Sequence, residues 1–191
     1  IYKEAKKYRP DIKLDDVKVW LSGQDSYTLH KPARKKFKRN RIYVSTIDSQ
    51  WEIDLADLSS IKEHNDGKKF LLTCIDVFSK FAWVEPLKNK SSSSICEAFY
   101  RILSTGRKPW KLRSDMGKEF INKEFQTLLK RESIDFFTSQ NDDIKCAVIE
   151  RFNRTLKTRM WKYFTDKNTR KWINVLPQLV KNYNNSYHRS I

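Results

Sequence analysis

The chain has 191 residues and a formal charge of +16 from 39 Lys and Arg against 23 Asp and Glu; 39% of it is hydrophobic, with 6 Trp, 8 Tyr and 11 Phe. Such aromatic content excludes a disordered chain, 4 Gly and 5 Pro exclude collagen-like structure, and no apolar run approaches the ~20 residues of a membrane span. The length suggests one domain plus an extension, taking ~150 residues as a domain size. The opening IYKEAKKYRP is polar, lacks the apolar region of a secretory signal and starts with Ile, so a piece of a longer protein is expected.

The charge is unevenly placed. Residues 1–41 are net +8, residues 42–141 net +1, and residues 142–191 net +7. A near-neutral centre between two basic flanks fits an ordinary globular core that binds a polyanion, nucleic acid first; a solvated basic surface is the alternative. The three cysteines (Cys74, Cys96, Cys146) and three histidines (His30, His64, His188) form no C-x-x-C or H-x-x-x-H pair, which argues against a closed zinc site. Unpaired cysteines suit a reducing compartment and read as small apolar fillers.

In chain order, Leu14, Val17, Trp20 and Leu21 sit at helical spacing within a short N-terminal helical piece. KPARKKFKRNR (31–41) has seven basic residues in eleven and reads as an exposed arm with Arg34, Lys35, Lys36 and Lys38 facing a polyanion, or as a solubilising linker. From residue 42 the pattern turns α/β. WEIDLADL is a short apolar run broken by acids, and KKFLLTCIDVF and FAWVEPL read as an antiparallel strand pair. SSSSICEAFYRILSTG is a serine-capped helix ending at Gly106, WKLRSDMG a strand into a turn at Gly117, NKEFQTLLKRES a helix capped by Asn122, and IDFFTS a strand. After the polar loop NDDIKCA, the long helix VIERFNRTLKTRMWKYFT sets Ile149, Phe152, Leu156, Met160 and Tyr163 on one face and Glu150, Arg154 and Lys157 on another. Trp172, Val175, Leu176, Leu179, Val180 and Tyr183 form a last stripe, in which Pro177 predicts a kink. The sum is one mixed sheet flanked by helices on both faces over residues 42–191, preceded by a helical and basic extension over residues 1–41.

Three acids do not fit the core. Asp54 lies between Ile53 and Leu55, Asp115 follows a strand where the chain turns, and Glu150 starts the long helix after a polar loop. A buried carboxylate needs a partner or a metal. Carboxylates brought together at strand ends can hold hard divalent cations, and two such cations can activate a hydroxyl and stabilise the leaving oxygen of a phosphodiester. Composition alone does not select these three, because any chain offers many such triples.

Around these acids, WEIDLADL, SDMGKEF and ERFNRTLK resemble the D-D-E catalytic core of retroviral-type integrases. Between Asp115 and Glu150 lie 34 residues, one fewer than the family's usual spacing. YTLHKPARKKF, CIDVFSKFAWVEPLKNKS, ERFNRTLKTRMWKYFT and YNNSYHRSI are more specifically similar to integrases of Polinton (Maverick) self-synthesising DNA transposons, over residues 14–191. The resemblance implies an RNase H-like fold and catalysis by Asp54, Asp115 and Glu150 as ligands of two Mg2+ or Mn2+ ions. It also implies 3′-end processing and strand transfer into double-stranded target DNA in the nucleus, by a homo-oligomer that does not engage a membrane. The zinc-binding HHCC module and the chromodomain or SH3-like module that often flank such cores are not visible in the chain.

Neighbouring residues are weighed against that set. Asp57 reads as a strand-end polar group, Asp76 as a turn or hydrogen-bonding residue, Glu119 as support behind the metal ligands, His64 as a surface-loop residue, and Asp142 and Asp143 as solvated. Lys145 reads equally as a DNA contact or a solvated residue. Arg154 and Lys157, at i+4 and i+7 from Glu150, read as phosphate contacts, with Asn153 orienting a ligand or phosphate. A catalytically inactive integrase-derived DNA-binding protein and an RNase H-type ribonuclease remain as alternatives.

Overall fold

The computed structural model describes residues 1–30, 43–138 and 146–188. The arm residues Arg34, Lys35, Lys36 and Lys38, and the loop residues Asp142, Asp143 and Lys145, lie outside the described residues.

Five strands form one sheet in the order β3-β2-β1-β4-β5: β1 (Gln50–Asp57), β2 (Phe70–Asp76), β3 (Ala82–Leu87), β4 (Lys111–Ser114) and β5 (Asp135–Thr138). β1, β2 and β3 are joined antiparallel, while β4 runs parallel to both β1 and β5. The sheet is mixed, as the order of elements in the sequence implies.

Strand alternation divides the core in two. Trp51 and Ile53 of β1 join Leu72, Cys74 and Trp83 under α4 (Ser92–Leu103), α5 (Lys118–Ile121) and α6 (Lys123–Arg131). Ala56, Leu71 and Ile75 pack on the other face against Ile149, Phe152, Leu156 and Met160 of α7 (Ala147–Lys167), and against Leu176 and Tyr183 of α8 (Leu176–Asn184). The apolar stripe of α7 is buried where the sequence periodicity puts it, with Tyr163 half-buried at its end. The caps also hold: Ser91 Oγ accepts from the Ser94 N–H, and Asn122 Oδ1 from the Phe125 N–H at 2.9 Å.

Pro177 kinks nothing. α8 begins at Leu176, so the proline sits in the first turn, where an N–H has no intrahelical acceptor to lose. Trp172 lies before that helix, and its backbone N–H donates to the buried Asn65 side chain at 2.7 Å. The N-terminal piece is three helices, α1 (Tyr2–Tyr8), α2 (Leu14–Ser22) and α3 (Asp25–Thr28). Of its expected apolar stripe only Val17 is buried, while Leu14 and Trp20 are 48% and 59% exposed. α3 rests on α7: the Lys162 ammonium lies 4.1 Å from the centre of the Tyr27 ring, and His30 Nε2 pairs with Thr165 Oγ1 at 2.8 Å. The segment after β1 forms a 3-10 turn, Ser59–His64, that the sequence does not announce; His64 is exposed at its end. Among the described residues no helix is long and apolar enough to cross a membrane.

Candidate active site

The register of the two central parallel strands explains how acids 61 positions apart in sequence become neighbours. Glu52 of β1 is paired with Arg113 of β4. Two residues further along each strand direction come Asp54 and Asp115, the latter one residue beyond the end of β4. Parallel strands run in step, so the two acids emerge side by side at the same end of the sheet. α7 crosses this face and carries Glu150 in its first turn, exposed towards the cleft.

Asp54 is the most tightly held of the three. One carboxylate oxygen accepts from the Leu55 N–H at 2.7 Å, the other from Asn153 Nδ2 at 2.7 Å, and its carbonyl accepts from Thr73 Oγ1 at 3.2 Å. Burial pushes its carboxyl above the usual range, and the negative charges of Asp115 and Glu150 push in the same direction; the bonds from Leu55 and Asn153 oppose them. Asp115 is exposed, and its Oδ1 accepts from the Gly117 N–H at 3.2 Å. Gly117 leaves room for this turn: a Cβ there would lie 3.1 Å from Asp115 Oδ1 and 2.9 Å from Glu119 Cδ. The Glu119 and Asp115 side chains both approach Gly117.

Asp54, Glu150, Asn153, Arg154 and Lys157 line one cleft of about 740 Å³, which continues past Asp57 to Trp161 and His30. Arg154 and Lys157 are exposed on its wall. Asn153 is only 8% exposed and its Nδ2 donates to Asp54. Asp57 lines the same cleft and accepts from the Ser59 N–H at 2.7 Å; the Ser59 side chain and N–H keep its carboxyl low. Asp76 is fully buried and bonded to Ser79 Oγ, the Phe78 N–H and Arg107, a structural role at a turn.

The donor set is all oxygen and suits a hard divalent cation. Among the described residues no three Asp, Glu, His or Cys side chains stand close enough to enclose an ion as they are posed. The mutual charge of Asp54, Asp115 and Glu150 nevertheless makes this the place where a cation would relieve repulsion.

Two participants escape a sequence reading. Glu52 is wholly buried, and its Oε2 accepts from the N–H groups of Val148 at 3.1 Å and Ile149 at 2.8 Å. Arg113, almost as buried, brings Nη1 to 3.9 Å from Glu52 Oε1. Burial pushes the Glu52 carboxyl up, while the Ile149 N–H and the Arg113 charge favour its ionised form. The only signal in the sequence is an acid within an apolar run, at the same strand parity as Asp54.

With this geometry in view, comparison with known proteins is decisive at the level of family. Residues 25–143, more than half of the chain, match the integrase core domain. The chain belongs to the integrase core domain family. The match includes Asp54 and Asp115 and ends before Glu150. The core is 43% identical over 135 residues to an uncharacterised transposon-derived protein of Caenorhabditis elegans, covering 70% of this chain and 47% of that protein. It is 30% identical over 137 residues to the Gag-Pol polyprotein of Koala retrovirus, covering 66% of this chain and 8% of the polyprotein. The chain therefore spans about half of the worm protein and a small part of the viral one. Among solved structures, the HTLV-2 integrase catalytic core domain in complex with magnesium (dimeric form) shares the fold at a TM-score of 0.61 and 22% identity, over 74% of this chain and 89% of that one. The simian T-cell lymphotropic virus intasome in complex with a PP2A regulatory subunit shares it at 0.68 and 19%, over 96% of this integrase core and 65% of that chain.

Proposed function

We propose that this integrase core is a metal-dependent polynucleotidyl transferase that processes the 3′ ends of a transposable element and joins them to target DNA. The observation that carries the reading is that Asp54 and Glu150 line one cleft with Arg154 and Lys157, while Asp115 follows the strand that runs parallel to β1, in step with Asp54. In this reading Asp54, Asp115 and Glu150 hold two Mg2+ or Mn2+ ions; when bound, these supply charge stabilisation and an activated hydroxyl for in-line phosphoryl transfer. Asn153 fixes the Asp54 carboxylate, while Arg154 and Lys157 hold DNA phosphates beside the acids. The basic arm Arg34, Lys35, Lys36 and Lys38 adds affinity without sequence preference.

The finer reading is a Polinton (Maverick) element, supported by the motifs from YTLHKPARKKF to YNNSYHRSI and in keeping with a transposon-derived relative. Double-stranded DNA, at element ends and target, is the partner, and a homo-oligomer pairs the two ends in the nucleus. Integrase relatives solved as a dimeric core and as an intasome support the assembly. The test is strand transfer on labelled duplex oligonucleotides carrying the element's ends, with Mg2+ or Mn2+. Joined products support the reading. Hydrolysis of RNA–DNA hybrid without joining favours a ribonuclease, and binding without either reaction favours an inactive derivative.

A further inference from the structure

Glu52 stands on one of the three segments that carry the acids and its side chain reaches residues of the other two, each one or two positions before an acid. Glu52 is itself two residues before Asp54 on β1. Its register partner across the parallel pair, Arg113, is two residues before Asp115, and Arg113 Nη1 lies 3.9 Å from Glu52 Oε1. Its Oε2 accepts from the N–H groups of Val148 and Ile149, two residues and one residue before Glu150.

The two amides are informative because of where they are. The first N–H groups of a helix have no intrahelical acceptor, and the residue ahead of α7, Cys146, makes no side-chain cap. Glu52 thus caps α7 from a neighbouring strand. A carboxylate at this end also meets the positive pole of the helix dipole. α7 carries Glu150 in the turn so held.

We infer that Glu52 is a positioning residue that sets the register of α7 against β1 and β4, and so holds Glu150 in step with Asp54 and Asp115. It touches neither DNA nor metal in this role, since it is wholly buried. The inference rests on the proposed transferase reading for its effect on rate, and on the structure alone for its effect on the helix.

The experiment compares Glu52→Leu and Glu52→Gln with the unaltered protein in two readouts. Amide hydrogen exchange at Val148 and Ile149 reads the cap directly, because helical bonding does not protect these positions. Strand-transfer kinetics with saturating Mn2+ read the consequence. Leucine offers no acceptor: exchange at the two amides should approach that of unprotected amides while circular dichroism stays native. Turnover should fall by about a hundredfold, the cost of misplacing a catalytic group by about 1 Å, with KM for DNA little changed. Glutamine keeps an acceptor oxygen and should restore slow exchange and most of the turnover. Unchanged exchange in Glu52→Leu overturns the cap, and faster exchange with unchanged turnover overturns the positioning role. If Glu52→Leu does not fold, Glu52→Gln decides: fast exchange at both amides, or a hundredfold loss of turnover, refutes the inference. An unaltered protein inactive with every metal and DNA tried would defeat the transferase reading instead, and the exchange measurements would still judge the cap.

Discussion

Asn153 offers a sharp test of the site, because its one hydrogen bond links the helix to the strand acid. Replacing it with alanine removes the Nδ2 donor 2.7 Å from Asp54 Oδ2 and leaves the Leu55 N–H as the remaining donor to that carboxylate. A hydrogen bond to an ionised acceptor contributes about 1.5–3 kcal/mol, and one unit of pKa corresponds to about 1.4 kcal/mol. Because the cleft admits water that replaces part of the bond, the low end applies, and Asp54 should titrate higher still in Asn153→Ala. The sign follows from linkage. Asp54 is already raised in the folded protein, so its ionisation opposes folding; raising it further makes the variant lose stability as pH climbs from the unfolded carboxyl range through the folded titration. The penalty is therefore small in acid and complete at neutral pH, about 1.5 kcal/mol. The assay is a carbon-13 NMR titration of the Asp54 carboxyl in metal-free protein, with urea unfolding at about pH 4 and about pH 7.5. A midpoint that stays in place or falls, or a stability loss that shrinks as pH rises, refutes the role given to Asn153.

The other expectations concern separate parts of the molecule. Glu150→Gln and Asp115→Asn should each abolish metal-dependent joining while leaving DNA affinity nearly intact, and Asp142→Asn or Asp143→Asn should cause only modest loss; strand-transfer and binding assays on the same preparations decide, and an active Glu150→Gln beside a dead Asp143→Asn would move the third ligand. Neutralising Arg34, Lys35, Lys36 and Lys38 together should flatten the log–log salt dependence of DNA binding by up to about 3.6, at about 0.9 for each phosphate no longer neutralised, and an unchanged slope would make the segment a linker. Arg107→Met should destabilise the fold by about 3 kcal/mol in urea, because it leaves the fully buried Asp76 without its cation, and Asp76→Asn in that background should recover part of the loss. Burial pushes the Cys146 thiol up to about 12 and the Cys74 thiol up as well, so iodoacetamide at about pH 8 should label the half-buried Cys96 first, as read by mass spectrometry.

What the sequence discloses and what it hides differ in range. Periodicity and caps are local, and they suffice for β2, β3, α4, α6 and α7: Ser91 and Asn122 cap the helices they precede, and the face of α7 with Ile149, Phe152, Leu156 and Met160 is the buried one. The three acids each interrupt or end such a pattern, but what selects them from the other acids is the resemblance of WEIDLADL, SDMGKEF and ERFNRTLK to integrase cores. The misreadings come from position within an element. Pro177 breaks a helix only from its interior, and apolar spacing cannot tell that interior from a first turn. Leu14 and Trp20 keep helical spacing yet remain exposed, since spacing shows that a face exists and not what covers it. The pairing of Glu52 with Arg113 joins residues far apart in sequence, and no local pattern encodes it.

That pairing bears on why the site tolerates so much negative charge. Strand alternation forces Glu52, Asp54 and Ala56 onto one face of β1, so α7 must cover two acids in a row before it reaches an apolar neighbour. Buried carboxylates are stable only where donors or cations meet them. At Glu52 the first-turn amides of α7 meet one carboxylate oxygen and the Arg113 guanidinium stands 3.9 Å from the other, while burial still pushes the carboxyl up. One step along the strand the amides have run out, and Asp54 has only Asn153 and its neighbour's N–H, with Asp115 and Glu150 adding charge of the same sign. The protein thus gives the first acid two backbone donors and a nearby guanidinium, and gives Asp54, at the cleft, fewer donors and two neighbours of its own sign. Oxygen donors of one sign beside a helix fixed at its first turn are what a hard cation can complete.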